Sequence, residues 1–188
     1  VWNLVYAGAI DARKGVGDAV EAVALLRREG LHVRLQCFGT GALDAYREMA
    51  SARGVADAVD FRGEAPNATV RAAMREADVV LVPSRHTYPE GLPLTIYEAL
   101  QVRTPIVGSD HPMFDGILVD DVSAKVFRAA DAGHLARTLR SLMRSPDIYE
   151  SLSRNAAETW AGLQIETQWG DLVREWLAAR PSRPWPEG

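Results

Sequence analysis

Cysteine is almost missing from this chain. Its 188 residues hold one, Cys37, which excludes an internal disulfide framework and any Cys-rich zinc site. Four histidines, His32, His86, His111 and His134, fall at no spacing that a metal would use, so no metal is expected. Long apolar runs are missing too. None approaches the roughly 20 residues of a membrane span, and the first residues do not follow the order of a signal peptide. A cytoplasmic setting is the expectation. Basic residues are in deficit, 21 Lys and Arg against 25 Asp and Glu, for a net charge of −4. That balance speaks against nucleic acid or an anionic membrane surface as partner. It leaves small anions open, because those need only a few local donors.

What is present is alternation. Short apolar runs end at Gly or Pro, and stretches of helical period separate them. Strands are predicted at Leu4–Ala7, Val33–Phe38, Val59–Phe61, Val79–Val82 and Pro105–Gly108, with a weaker one at Ala124–Phe127. Val16, Val20, Val23 and Leu26 mark a first helix that Gly30 should close. Further helices are expected near 43–53, 68–76 (capped by Asn67 or Thr69) and 94–101. Leu135, Leu139 and Leu142 begin a helical stretch that continues to about Ala179. Val79-Val80-Leu81-Val82 is apolar throughout, the mark of a strand buried on both faces. The fold class is therefore α/β, a Rossmann-like parallel sheet with helices on both faces. Ligands of such sheets sit beyond the carboxyl ends of the strands. The division expected is a nucleotide-binding domain over 1–164, then a helix and a Pro-rich tail over 165–188. The tail Arg180–Pro186 is too rich in proline to be helical. The opening Val1-Trp2-Asn3-Leu4-Val5-Tyr6 has no Met and already reads as a strand, so a piece cut at a domain boundary is expected.

Several motifs point to chemistry with unequal force. Phe38-Gly39-Thr40-Gly41-Ala42-Leu43-Asp44 follows a strand and opens a helix, and Asp60 lies where a ribose-binding acid would fall. That keeps an NAD(P)-dependent Rossmann enzyme as the alternative. Against it, Asp44 replaces the third glycine and the motif sits on the second strand. Ser109-Asp110-His111 has triad residue types, but chain neighbours do not converge as nucleophile, orienter and base; a polar turn before Pro112 is the simpler reading. Cys37 reads as core, and Trp160, Trp169 and Trp176 as helix-packing residues.

The informative stretch is 82–110. Glu90 stands in the loop before a helix and Glu98 about one turn inside it. A helix N-terminus suits phosphate, Gly91 permits close backbone approach, and Pro93 suits the first turn. Carboxylates beside an anion site make sense if they accept hydrogen bonds from a ribose diol or a sugar. Spacing alone leaves that reading level with two solvated glutamates at a helix start.

Glu90-x₇-Glu98, within Pro-Ser…Glu-Gly-Leu-Pro-Leu…Glu-Ala-Leu…Pro-Ile-Val-Gly-Ser-Asp, resembles the signature of retaining family 4 glycosyltransferases of GT-B fold. The likeness extends over about residues 3–160. It takes in Tyr6-Ala7-Gly8…Lys14-Gly15, Phe38-Gly39-Thr40-Gly41, Val59-Asp60-Phe61-Arg62-Gly63 and Ala77–Ser84. The resemblance implies the C-terminal, nucleotide-sugar-binding half of a GT-B enzyme. It also implies an acceptor domain earlier in the same full-length chain, through which any membrane contact would come. The implied partner is a nucleoside-diphosphate sugar carrying UDP or GDP, with no cofactor and no metal. Glu98 would hold the ribose, Glu90 the donor sugar, and Lys14 the diphosphate, with Glu90 and Lys14 the candidate catalytic residues. Gly8 belongs to the donor-binding loop. Backbone N–H groups of Gly91, Leu92, Pro93 and Leu94 are assigned as a segment to the sugar and diphosphate, although Pro93 itself has none. Arg62, Gly63 and Glu64 would line the base. Ala9 stands where the family usually has an arginine, and Arg13 is the candidate to replace that cation. Val122-Ser123-Ala124 replaces a common Asn-Gly turn. Ala9 keeps a third reading open, a degenerate non-catalytic nucleotide-binding module. No residue stands out as a general base.

Overall fold

Strand β1 (Trp2–Ala7) sends alternate side chains to opposite faces, and both faces are covered. Leu4 and Tyr6 enter one apolar cluster and Val5 the other. The computed structural model describes residues 1–165 and 167–179. Around β1 are β2 (Val33–Phe38), β3 (Val59–Gly63), β4 (Val79–Val82), β5 (Ile106–Ser109) and β6 (Lys125–Phe127). They form one six-stranded sheet in the order β3-β2-β1-β4-β5-β6, every pair parallel. The chain builds outward from β1 in one direction, then returns and builds in the other. The crevice between β1 and β4 is thus the topological switch point, where such sheets take their ligands.

The helices are α1 (Val16–Arg28), α2 (Leu43–Ala52), α3 (Asn67–Glu76), α4 (Leu94–Val102), α5 (Ala132–Met143), α6 (Pro146–Gly162) and α7 (Trp169–Ala178). The first cluster packs α1 and α5 on the sheet through Val20, Val23, Leu26, Leu135 and Leu139. The second packs α3 and α4 through Val70, Met74, Ile96 and Leu100. Helix α6 spans both, with Leu152 in one cluster and Ala156 in the other. As its sequence foretold, β4 is buried at all four positions. Full burial of a Val or Leu side chain stabilises by roughly 1.5–3 kcal/mol, which explains why so short a strand holds the centre.

Of three local expectations, two need correction and the one for Gly30 holds. Helix α3 is capped by Pro66, which has no side-chain acceptor, rather than by Asn67 or Thr69; both lie inside the helix. Gly30 sits one residue past the cap Glu29, where its N–H and that of Leu31 close the helix on the carbonyls of Arg27 and Leu26. Trp169 is 77% exposed and Trp176 58%, and among the described residues of α7 none is buried, while Trp160 does pack against the second cluster. Cys37 is buried, as read from its strand. The expectation for Arg180–Pro186 lies outside the described residues. Among the described residues, no helix is long and apolar enough to cross a membrane.

Candidate functional site

Two loops meet at the switch point. One leaves β1 at Gly8 and runs through a 3-10 turn, Ala12–Lys14, into α1. The other leaves β4 at Pro83 and reaches α4 at Leu94. Gly15 lets them touch: it has φ 74°, and a Cβ there would collide with the Pro83 carbonyl. Any larger residue would force the loops apart. The Arg85 N–H donates to the Arg13 carbonyl (2.8 Å), and the Thr95 hydroxyl at the start of α4 donates to the Ala7 carbonyl (3.0 Å).

This contact joins residues 76 positions apart. The Lys14 ammonium pairs with Glu90 Oε1, and the Ser84 hydroxyl donates to the same oxygen. The two charged side chains are only 13% and 6% exposed, and the Lys14 Nζ lies 4.3 Å from the centre of the Tyr88 ring. Arg13 reaches that ring as well, its Cζ 5.3 Å from the centre, while its guanidinium is held by Asp11. Ala9, where a larger cation was expected, contributes only an exposed methyl group; its carbonyl accepts the Tyr6 hydroxyl (2.6 Å). Burial, then the nearby Cys37 and Glu90, push the Tyr6 phenol well above its ordinary pKa, so it stays a neutral donor.

The α4 end of the crevice is built from backbone. The cap is Pro93, with no side-chain hydrogen bond; the Ile96 N–H bonds the Pro93 carbonyl (3.0 Å), and the N–H groups of Leu94 and Thr95 stay open at the positive end of the helix. Gly91 and Leu94 are exposed, and Leu92 and Pro93 half-buried. Glu98 is half-buried one turn further in, and burial raises its carboxyl pKa, with Arg71 on α3 opposing the shift. Gly8 lies at the end of β1, where its N–H donates to the Phe38 carbonyl (3.0 Å). Arg62 and Gly63 end β3, and Glu64 follows it. The Arg62 side chain is held by Asp60 (2.6 Å), and Glu64 is exposed. The structure brings Lys14 and Glu90 into contact; it does not bring Arg62 or Glu64 into contact with that pair.

Sequence reasoning missed the residues that hold the Glu90 loop. Asp18, buried on α1, takes the Arg85 guanidinium in two hydrogen bonds of 2.7 and 2.8 Å. The Ser109 hydroxyl donates to the Ser84 carbonyl (2.6 Å). His111 Nδ1 accepts the Met113 N–H, so Nε2 carries the proton and donates to the Tyr88 carbonyl (3.0 Å). Ser109, the last residue of β5, and His111 are therefore buried supports of the neighbouring loop, more than the polar turn read from the sequence. Asp110 bonds the Ala129 N–H (2.8 Å) and His86 (2.9 Å). Burial would raise its pKa, but these bonds outweigh it and hold the group below the usual carboxylate range.

The Gly39–Gly41 motif turns out to be packing. A Cβ on Gly39 would overlap the Gly8 carbonyl, and one on Gly41 the Ile10 carbonyl. The two loops also exchange backbone hydrogen bonds, Ile10 N–H to Thr40 and Ala42 N–H to Ile10. Asp60 is engaged by Arg62. Nothing in this arrangement favours the dinucleotide reading. Among the described residues, no group of three or more His, Cys, Asp or Glu could hold a metal ion.

A parallel six-stranded sheet in this order, with a polar pair at its switch point, is a Rossmann-like ligand-binding architecture. The solved C-terminal domain of a glycosyl transferase group 1 family protein from Francisella tularensis superposes with TM-score 0.75 at 17% identity, covering 88% of this chain and 87% of that one. An Anabaena protein solved with UDP-glucose gives TM-score 0.79 at 17% identity, over 95% of this chain and 49% of the other. The family model for glycosyl transferases group 1 matches residues 2–159, and the chain belongs to that family. An amylovoran biosynthesis glycosyltransferase of Erwinia amylovora is 32% identical over 134 residues, 69% of this chain and 33% of its own length. An alpha-D-kanosaminyltransferase of Streptomyces kanamyceticus is 28% identical over 155 residues, 82% of this chain and 39% of its own. The chain thus spans about a third to two fifths of the length of these curated relatives.

Proposed function

We propose that this domain binds a nucleoside-diphosphate sugar in the β1–β4 crevice. There it serves a retaining transfer of the sugar to an acceptor hydroxyl that another part of a longer chain would supply. The observation that carries the reading is the convergence at the switch point. Lys14 and Glu90 meet beside the uncapped N-terminus of α4, with Glu98 one turn inside that helix. A diphosphate matches a lysine and open helix N–H groups, while hydroxyls of a ribose and a sugar match two carboxylates. The Anabaena fold neighbour solved with UDP-glucose supports the same class of ligand.

In this scheme Glu98 accepts hydrogen bonds from the ribose and Glu90 from the transferred sugar. The backbone of Arg62, Gly63 and Glu64 lines the base, and Gly8 and Gly91–Leu94 enclose the diphosphate and sugar. As the bond between anomeric carbon and diphosphate oxygen breaks, negative charge grows on the leaving group. Lys14 and the α4 dipole would stabilise that charge without a metal. Arg13, on the same Tyr88 ring as Lys14, is the second cation within reach, provided that it leaves Asp11. Calorimetric titration of the 188-residue chain should show UDP or GDP bound more tightly than NAD or AMP. Preference for NAD, or no nucleotide bound at millimolar concentration, would remove this reading.

A further inference from the structure

The Lys14–Glu90 pair has a consequence for which ligand the site prefers. Resting on the donor-site reading, we propose that Glu90 determines specificity by competing with the diphosphate for Lys14, and so ranks the sugar-bearing donor above the free nucleoside diphosphate. In this structure Lys14 is not available to a phosphate. Its ammonium is on Glu90 Oε1 and under the Tyr88 ring, and the small cavity enclosed between Tyr6, Lys14, Ser84, Pro93 and Thr95 measures about 10 Å³. That volume is at the lower limit for one water molecule, far below what a diphosphate needs.

The loop cannot simply leave. Its backbone is bonded by Ser109 at Ser84, by Arg13 at Arg85 and by His111 at Tyr88, and Asp18 grips the Arg85 side chain. What remains to move is the pair of side chains. A nucleoside diphosphate that takes Lys14 leaves the Glu90 carboxylate buried with the Ser84 hydroxyl alone and brings new negative charge beside it. A nucleotide sugar does the same, but its hydroxyls donate to the freed carboxylate. Glu90 Oε2, which accepts no hydrogen bond among the described residues, is open to them as well. The cost of separating the pair falls on both ligands and is offset for one. Because the transfer turns the favoured ligand into the disfavoured one, the same pair hastens release of the product.

The test is binding of UDP and UDP-glucose to the parent chain, Glu90→Gln and Ser84→Ala, with thermal unfolding as a check on each fold. Glutamine is isosteric but cannot hold the ammonium as an ion pair. Glu90→Gln should therefore bind UDP about threefold to tenfold more tightly than the parent and UDP-glucose more weakly. Ser84→Ala removes the one partner that the carboxylate keeps once Lys14 has left, so it should weaken UDP and widen the advantage of UDP-glucose, and it decides the matter if Glu90→Gln does not fold. Should UDP bind parent and both variants alike while UDP-glucose still binds, the competition is absent and the donor site stands. A parent that takes neither UDP, GDP nor inorganic diphosphate would overturn the donor-site reading, and this inference with it.

Discussion

The loops that follow β1 and β2 look alike in sequence, each with glycines after a strand's carboxyl end, yet only one of them carries cations into the crevice. After β2, Gly39 and Gly41 spend their lack of a side chain on contact with the neighbouring loop. The N–H of Gly39 goes to the Gly63 carbonyl, and both glycines press on carbonyls of the β1 loop. After β1, Gly15 also closes on a neighbour, at the Pro83 carbonyl, but the residues just before it place two cationic side chains, Arg13 and Lys14, around Tyr88. A phosphate-binding fingerprint is thus a statement about backbone donors left free, and donors already bonded to another loop do not qualify.

The strongest way to break this comparison is Gly39→Ala. A methyl group against the Gly8 carbonyl, on a backbone with φ 137°, must push the β1 and β2 loops apart. Denaturant unfolding should show a loss of about 3 kcal/mol or more. If Gly39 instead faced a ligand, the variant would keep its stability and lose only nucleotide.

Next in size is Lys14→Ala, which tests the other loop. Losing a charge-assisted bond to phosphate should weaken a nucleoside diphosphate by about 1.5–3 kcal/mol. The corresponding nucleoside should bind as before. Equal losses for both ligands, measured by calorimetry, would remove Lys14 from the diphosphate. Ala9→Arg is the converse experiment. Its position is exposed, so the new side chain has room, and diphosphate affinity should rise if the crevice lacks a second cation.

How much of this was legible beforehand differs between sheet and site. The strand pattern was readable because burial on both faces leaves continuous apolar runs, as at Val79–Val82. Glu90 and Glu98 stood out as candidates because the resemblance extends along an ordered set of motifs. The supports did not. Asp18 sits in a helix whose apolar positions describe only its core face. Ser109 and His111 look solvated until β5 is laid beside β4 and their partners turn out to be the Ser84 and Tyr88 carbonyls. Each is a polar side chain whose partner lies far away in sequence, and no local period reports such a pairing. The exposure of Trp169 on α7 was hidden for the opposite reason: helical spacing shows that a face is apolar, not that anything among the described residues covers it.

The smallest effect separates Glu98 from a merely solvated glutamate. Its carboxyl is half-buried one turn into α4, and burial raises its pKa against a weaker opposing pull from Arg71. The folded protein therefore binds this proton more readily than the unfolded chain, and the group's contribution to stability is greatest in acid. It declines as pH rises from the ordinary carboxylate pKa through the raised one. Glu98→Gln removes the ionisation but keeps the shape, so the variant should melt slightly above the parent at neutral pH. That gain should fade as pH falls through the carboxylate range, where the parent is neutral too. Nucleoside diphosphate binding should move the other way, because an amide is a weaker acceptor for a ribose diol than a carboxylate. A carboxylate kept partly dry at some loss of stability, and needed for ligand, is what a binding group looks like. If calorimetry and melting curves across pH find the variant indistinguishable from the parent on both counts, Glu98 is a solvated helix residue and the ribose must be held elsewhere.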